Sequence, residues 1–225
     1  MSRIRILVAD DHEIVRRGLK ALLEAQPEWE VVAEAVTGRE AVEMAKQTTP
    51  EVAILDVGMP DLNGLEATRQ VLKALPATEV LILTMHENEQ IVREVLDAGA
   101  RGYVLKSDAG RDLVAAVEAL CQHRTFFSSK VSEMLLNSYL RHADRSPDAT
   151  GAAVATESPR SRLTAREREI VQLLAEGKSN KEVASALNIS IKTAETHRTN
   201  IMNKLDLRSI TELVRYAVRN NIVEP

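Results

Sequence analysis

The fold is decided by one stretch of the chain, Val52-Ala53-Ile54-Leu55-Asp56-Val57-Gly58-Met59-Pro60. Four apolar residues in succession, ended by Gly58 and Pro60, predict a strand buried on both faces, as strands of parallel sheets are. Asp56 stands at the carboxyl end of this strand, where ligands bind in open α/β sheets. Asp, Gly and Pro are also common turn residues, so this stretch alone leaves open a second interpretation, in which Asp56 only begins a turn.

The length and composition are those of an ordinary globular protein. With 225 residues, 44% hydrophobic and 28% charged, the chain can form one or two domains with packed cores. No segment approaches the roughly 20 apolar residues that a membrane span needs, and the first apolar run is too short for a signal peptide. The single cysteine, Cys121, excludes an intramolecular disulfide and a thiolate cluster. These features predict a cytoplasmic protein without a membrane partner, in which Cys121 is a buried structural thiol.

The net charge of −4 hides an asymmetry between the two parts of the chain. Residues 160–225 carry 12 Lys and Arg against 8 Asp and Glu, whereas residues 1–159 carry 17 against 25. The acidic first part suits a cation site, and the basic second part suits a polyanion.

Apolar runs and amphipathic stretches alternate in the first part of the chain. The predicted strands lie at 4–9, 31–35, 52–56, 79–84 and 102–105, and the predicted helices at 12–25, 38–47, 64–75, 88–98 and 109–122. Strict alternation at this spacing is typical of a parallel sheet with helices on both faces. The sequence therefore predicts an α/β domain with Asp56 at one edge of its sheet.

Polar side chains follow four of the five predicted strands. Asp10 and Asp11 end the first strand, Asp56 the third, Thr84 the fourth and Lys106 the fifth. Three carboxylates at one edge repel one another unless a divalent cation lies among them, and hard oxygen ligands suit Mg²⁺. The Thr84 hydroxyl and the Lys106 ammonium are donors suited to phosphoryl oxygens. Each residue alone has an ordinary explanation as a helix cap or a solvated charge, but together they predict a functional site.

Four motifs at these strand ends resemble the receiver domain of bacterial two-component response regulators. They are Val8-Ala9-Asp10-Asp11-His12, Leu55-Asp56-Val57-Gly58-Met59-Pro60-Asp61-Leu62-Asn63-Gly64, Leu83-Thr84-Met85 and Gly102-Tyr103-Val104-Leu105-Lys106. The resemblance covers roughly residues 1–125 and implies a flavodoxin-like, five-stranded parallel sheet of order 2-1-3-4-5.

The resemblance also implies a role for each residue at this edge. Asp56 would accept a phosphoryl group from a sensor histidine kinase, and Thr84 and Lys106 would contact the phosphoryl oxygens. Tyr103 would be an aromatic switch; the alternative is an ordinary half-buried strand residue. The implied Mg²⁺ ligands are Asp10, acting largely through water, Asp11, Asp56 and the carbonyl of Gly58.

The composition changes abruptly after the α/β domain. Residues 129–140 predict one more amphipathic helix, and residues 141–162 contain a single large aliphatic residue, Val154. Such a composition cannot support a packed core and predicts a flexible linker. We therefore expect a receiver domain at 1–125, a linker helix and flexible linker at 126–160, and a further domain at 161–225.

The last part of the chain predicts four helices. Thr164 and Glu167 form a capping box at the first helix, and Ser190 and Ser209 cap the third and fourth. A short helix, a tight turn and a longer polar helix make a helix-turn-helix. The third helix places Ala194, Ile201 and Leu205 toward the core and leaves a polar opposite face, which is either solvated or bound to a polar partner.

Three motifs in this part resemble the LuxR-type DNA-binding domain. They are Leu163-Thr164-Ala165-Arg166-Glu167, Glu176-Gly177-Lys178-Ser179-Asn180-Lys181-Glu182 and Ser190-Ile191-Lys192-Thr193-Ala194-Glu195-Thr196-His197. Together with the receiver motifs they indicate the NarL/FixJ class of response regulators. The implied base contacts are Lys192, Glu195, Thr196 and Thr199, and the implied phosphate contacts are Lys181, Thr193 and Arg198. Glu195 has two interpretations, an acceptor for cytosine N4 or an intrahelical partner of Arg198.

These patterns predict a transcriptional regulator rather than an enzyme. Phosphorylation of Asp56 would promote homodimerisation and binding to double-stranded DNA, with RNA polymerase as a further candidate partner. A Mg²⁺-dependent phosphohydrolase is disfavoured because Asp56 is followed two positions later by Gly58, not by a second aspartate. A regulator that acts through protein contacts and needs no phosphorylation is the remaining alternative.

Overall fold

The computed structural model describes residues 3–85, 89–133 and 163–223. The chain divides into two compact units, Met1–His142 and Ala143–Pro225. Residues 129–133 are helical, at the start of the helix predicted for 129–140. The rest of that helix and the whole of the predicted flexible linker lie outside the described residues.

In the described residues of the first unit, helices lie on both faces of a parallel sheet. Its strands are β1 (Ile4–Ala9), β2 (Trp29–Ala35), β3 (Val52–Asp56), β4 (Glu79–Thr84), β5 (Gly102–Leu105) and β6 (Phe126–Phe127). Its helices are α1 (Glu13–Glu24), α2 (Gly38–Thr48), α3 (Gly64–Ala74), α4 (Glu89–Ala98) and α5 (Ala109–Cys121). The strand order is β2-β1-β3-β4-β5-β6, which confirms the predicted order 2-1-3-4-5.

The sixth strand was not predicted from the sequence. Phe126 and Phe127 pair in parallel with Gly102 and Tyr103 of β5, so the sheet has six strands instead of five. Two residues are too few to show the alternation by which strands are recognised, and here they are followed almost at once by a helix.

The sheet separates two apolar cores, one on each face. Successive residues of β3 point to opposite faces, so that Leu55 belongs to one core and Ile54 to the other. Every residue of β3 is buried, as its unbroken apolar run predicted, and every residue of β4 is buried as well. This packing fixes the carboxyl ends of the strands, where the predicted site residues lie. Cys121 at the end of α5 is only partly buried, at the margin of the second core.

Within residues 163–223, the described part of the second unit, four helices pack around one apolar core. They are α6 (Ala165–Ala175), α7 (Asn180–Ala186), α8 (Ile191–Lys204) and α9 (Ile210–Arg219). The Thr164–Glu167 capping box is present, and Ser179 and Glu182 form another at α7. Asn188 adopts a left-handed φ of 52° in the turn between α7 and α8, which completes the predicted helix-turn-helix.

No helix within the described ranges has both the length and the apolar character that crossing a membrane requires.

Candidate functional site

The carboxyl edge of the first sheet brings the predicted acidic residues together. Asp10 is fully buried and Asp56 is 2% exposed, whereas Asp11 is exposed at the rim. One oxygen from each of these carboxylates and a ring nitrogen of His12 all lie within 4.8 Å of one another. The structure therefore confirms that the three aspartates share one cluster.

Lys106 lies between the two buried carboxylates of this cluster. Its Nζ is 2.8 Å from Asp10 Oδ2 and 2.8 Å from Asp56 Oδ2. Burial by itself lowers the pKa of Lys106, but hydrogen bonds and charge attraction from Asp10 and Asp56 outweigh it, so the pKa is raised overall. Lys106 consequently stays charged and supplies a fixed cation at the edge of the sheet.

His12 belongs to the cluster but was not among the predicted site residues. Its Nδ1 is 2.7 Å from Asp11 Oδ1 and 3.3 Å from Asp10 Oδ1. Its backbone N–H donates to Asp10 Oδ1 at 2.8 Å, which fixes the orientation of that buried carboxylate. The position of His12 directly after two strand-end aspartates was the available signal in the sequence.

Thr84 and Tyr103 are both completely buried. Thr84 is the last residue of β4 and lies opposite Leu105, the residue before Lys106, which puts it at the same edge as the acidic cluster. The Tyr103 ring belongs to the core that also contains Ile91 and Val92 of α4. The alternative of a half-buried Tyr103 is therefore wrong.

Gly58, the remaining predicted ligand residue, lies in the loop between β3 and α3. It is partly exposed and occupies a turn directly after the buried Val57. The Val57 N–H donates to the Leu83 carbonyl of β4 at 3.2 Å, so the sheet itself holds the start of this loop. Gly58 therefore lies two residues after Asp56, in a loop whose first residue is held by the sheet.

A second group of predicted residues lies on the polar face of α8. Ala194 and Ile201 are buried as predicted, and Lys192, Thr193 and Glu195 are exposed. A concave surface runs along this face, lined by Asn180, Lys192, Glu195, Thr196, Arg198, Thr199 and Asn200. Asn180 and Asn200 were not predicted, because single asparagines carry no pattern that separates a groove from a turn. Lys181 is exposed on α7.

Glu195 pairs with Lys192 and not with Arg198, the intrahelical partner that the sequence offered. Its carboxylate is 4.0 Å from the Lys192 ammonium, and the Arg198 guanidinium instead donates to Asn180 Oδ1 at 3.5 Å. The Thr196 and Thr199 hydroxyls donate to backbone carbonyls one turn earlier in α8, at 2.9 and 3.0 Å. The carboxylate of Glu195 therefore stands on this face as an exposed acceptor.

Two family models together match most of the chain. Residues 6–118 match the model described as the response regulator receiver domain, and residues 161–217 match the model described as bacterial regulatory proteins, luxR family. The chain belongs to the NarL/FixJ class of response regulators. This response regulator is a DNA-binding transcription regulator of a two-component system, and its family is not one of enzymes.

The relatives of this response regulator extend over its full length. It is 39% identical over 222 residues to the oxygen regulatory protein NreC of Staphylococcus haemolyticus, covering 98% of this chain and 100% of the relative. It is 40% identical over 220 residues to the transcriptional regulatory protein LiaR of Bacillus subtilis, covering 98% and 99% of the two chains. Among solved structures, a structure of two RcsB dimers bound to two parallel DNAs is similar to this chain. Its RcsB chain is 28% identical in sequence with a TM-score of 0.59, and the match covers 97% of this chain and 99% of that chain.

Proposed function

We propose that Asp56 is the phosphoacceptor of this response regulator and that its phosphorylation controls DNA binding. The observation that carries the proposal is the position of Asp56, which ends a buried strand, lies 2.8 Å from Lys106 and shares a cluster with two further aspartates. A nucleophilic carboxylate beside a fixed ammonium is suited to accepting a phosphoryl group, because the ammonium can bind the transferred oxygens.

The donor set of this edge fits Mg²⁺. Three carboxylates share the cluster and the Lys106 ammonium pairs with two of them, which leaves an excess of negative charge among oxygen ligands that a hard divalent cation prefers. Asp11, Asp56 and the Gly58 carbonyl would hold the ion, with Asp10 acting largely through water. When bound, Mg²⁺ supplies charge neutralisation for the incoming phosphoryl group.

The phosphoryl group would come from a phosphohistidine of a sensor histidine kinase. A carboxylate oxygen of Asp56 attacks the phosphorus, an O–P bond forms, and the P–N bond breaks with its electron pair leaving on the imidazole. Lys106 and the Thr84 hydroxyl donate hydrogen bonds to the phosphoryl oxygens. The product carries about two negative charges where one carboxylate charge stood before, by analogy with phosphorylated hydroxyls.

The added charge would shift an existing equilibrium rather than create a new fold. Thr84 moves toward the phosphoryl oxygens, and Tyr103 repacks into the space that Thr84 leaves. Because Tyr103 packs in the core with α4, this change alters the surface formed by α4, β5 and α5. We propose that this surface controls dimerisation and, through it, DNA binding.

The polar face of α8 is proposed to read DNA in the major groove. Base contacts are assigned to Lys192, Glu195, Thr196 and Thr199, and phosphate contacts to Lys181, Thr193 and Arg198. In a dimer paired through α9, two copies of α8 address half-sites about one DNA turn apart. Bound to its operator, the dimer would then recruit or block RNA polymerase. Since chromosomal DNA is the target, we propose that the protein acts in the cytoplasm.

Phosphorylation can be tested directly on the full-length protein. With acetyl phosphate and Mg²⁺, we expect intact mass spectrometry to show one added phosphoryl group, which chelation of Mg²⁺ abolishes. Asp56→Asn should remain unmodified, and Asp97→Asn, which changes an exposed aspartate on α4, should be modified like wild type. Full operator binding without any phosphorylation would instead favour a regulator that acts through protein contacts.

A further inference from the structure

The loop between β3 and α3, residues 57–63, is a tightly packed segment. Val57, Met59 and Leu62 are each at most 3% exposed. The Leu62 N–H donates to the Pro60 carbonyl at 2.8 Å, and Asp61 adopts a φ of +64°, which is uncommon for a residue other than glycine. The loop therefore has one defined backbone conformation, and that conformation sets the position of Gly58.

The first residue of α2 lies against the backbone of this loop. Gly38 is buried, and a Cβ atom at this position would lie 1.9 Å from the carbonyl oxygen of Leu62 and 2.8 Å from its carbonyl carbon. A backbone carbonyl cannot rotate away as a side chain can. Cβ atoms essentially never lie closer than 3.0 Å to another heavy atom, so even that limit would require a relative shift of about 1 Å.

The N-terminus of α2 is held in place by its own caps and by core packing. The Thr37 hydroxyl accepts the Glu40 N–H at 3.1 Å, and the Glu40 carboxylate accepts the Val36 N–H at 3.0 Å, so the first turn of α2 is capped from both directions. Ala41 and Ala45 fix the helix in the core with no exposed surface. A side chain at Gly38 would consequently displace the loop.

The other end of the loop is held in the same way. A Cβ atom at Gly64 would lie 2.0 Å from the carbonyl oxygen of Asp56, and the Gly64 N–H donates to the Val57 carbonyl at 3.0 Å. With this end fixed, a displacement at Leu62 is absorbed between residues 57 and 62. Gly58 lies within that span, and Mg²⁺ tolerates little departure from octahedral geometry.

We propose that Gly38 is a positioning residue for the Mg²⁺ and phosphoryl site. The absence of a side chain at Gly38 lets the Leu62 carbonyl lie against α2, and this contact sets where the Gly58 carbonyl points. Gly38 touches neither the metal ion nor the phosphoryl group. The inference rests on the proposed function, because it assumes that Mg²⁺ binds at the acidic cluster.

The test compares Mg²⁺ binding by three full-length proteins using isothermal titration calorimetry. Gly38→Ala should bind Mg²⁺ about tenfold more weakly than wild type, the lower end of the effects seen when an outer-shell partner of a metal ligand is changed. Gly18→Ala is the matched control, since it makes the same change within α1 at a site where a Cβ would meet no atom within 4 Å. The Mg²⁺ concentration for half-maximal phosphorylation by acetyl phosphate should rise by the same factor only in Gly38→Ala.

The possible results separate this inference from the proposed function. A folded Gly38→Ala protein that binds Mg²⁺ as tightly as Gly18→Ala and wild type would overturn the inference alone. Failure of wild type to bind Mg²⁺ would overturn both. Should Gly38→Ala not fold, amide hydrogen exchange of wild type decides: protection by Mg²⁺ in the first turn of α2 as well as in residues 57–62 supports the inference, and protection in the loop alone overturns it.

Discussion

The ammonium of Lys106 and the carboxylate of Asp56 form an ion pair of 2.8 Å in which both side chains are at most 9% exposed. The same ammonium pairs at 2.8 Å with Asp10, so a single cation compensates two buried carboxylates. Removing one member of such a group leaves charges that are buried without compensation.

Replacing this cation should destabilise the receiver unit. We expect Lys106→Met to lower the free energy of unfolding by about 3 kcal/mol in Mg²⁺-free buffer, because Asp10 and Asp56 then repel each other inside the protein. Urea unfolding measures this loss, and added Mg²⁺ should recover part of it. Lys46→Met is the control, since Lys46 pairs with Glu43 at an exposed site and should cost about 1 kcal/mol or less. Equal losses in the two variants would contradict the prediction.

Removing the Thr84 hydroxyl should separate phosphorylation from its effect on DNA binding. Thr84→Val keeps the shape of a fully buried side chain, and it leaves Asp56 available for phosphorylation. We expect the gain in DNA affinity on phosphorylation to be about tenfold smaller, the value of one hydrogen bond to a charged group. Thr78→Val makes the same change just before the other end of β4, where the hydroxyl donates to Pro50, and should leave the gain unchanged.

The receiver fold and most of its site were predictable because each of the strands β1 to β5 carries its own signal. Unbroken apolar runs predicted β3 and β4, and the rule that parallel strands end at one edge placed Asp10, Asp56 and Lys106 together. The roles of these residues came from the family resemblance.

The features that the sequence did not predict depend on contacts between segments that are distant in the chain. Strand β6 has only two residues and exists because Phe126 and Phe127 can pair with β5. The importance of Gly38 follows from the approach of Leu62, 24 positions later, which no local pattern encodes. The contact between Arg198 and Asn180 likewise joins two helices, whereas helical spacing alone offered Glu195 as one possible partner of Arg198.

Glu195 should select the base that it faces in the operator. A carboxylate accepts a hydrogen bond from cytosine N4, whereas the amide of Glu195→Gln pairs with adenine N6 and N7. Selection of operators from a random DNA library should therefore shift from cytosine to adenine at one position of each half-site, with a discrimination of about 1–3 kcal/mol. Lys181→Ala should instead weaken binding to all DNA sequences alike. It should also reduce the slope of log affinity against log salt concentration by about 1. An unchanged base preference in Glu195→Gln would count against the assigned contact.

Acid should destabilise the DNA-binding unit through Glu167. Burial tends to raise the pKa of this carboxyl, but hydrogen bonds from Lys204 at 2.7 Å and from Thr164 lower it below its usual 4.5. A carboxylate with a lowered pKa stabilises the fold above its unfolded-state pKa, and this contribution is lost as the pH falls through the folded-state pKa. Between about pH 6 and pH 3.5, Glu167→Gln should lose less stability than wild type.

The stability of the unit containing α6 and α8 can be followed by amide hydrogen exchange of those helices in the full-length protein. Equal losses of protection in wild type and Glu167→Gln over this pH range would show that the pair with Lys204 contributes nothing to acid sensitivity.

The most direct test of phosphorylation control measures the DNA affinity and the oligomeric state of the full-length protein with and without beryllofluoride and Mg²⁺. The salt concentration is kept fixed, because phosphate contacts make DNA affinity steeply dependent on salt. The DNA is a fragment selected from a random library by the beryllofluoride-treated protein. We predict a shift from monomer to dimer with tighter DNA binding in wild type, and neither change in Asp56→Asn. Identical oligomeric state and affinity in the presence and absence of beryllofluoride, or an equal response in Asp56→Asn, would contradict the control of DNA binding by Asp56.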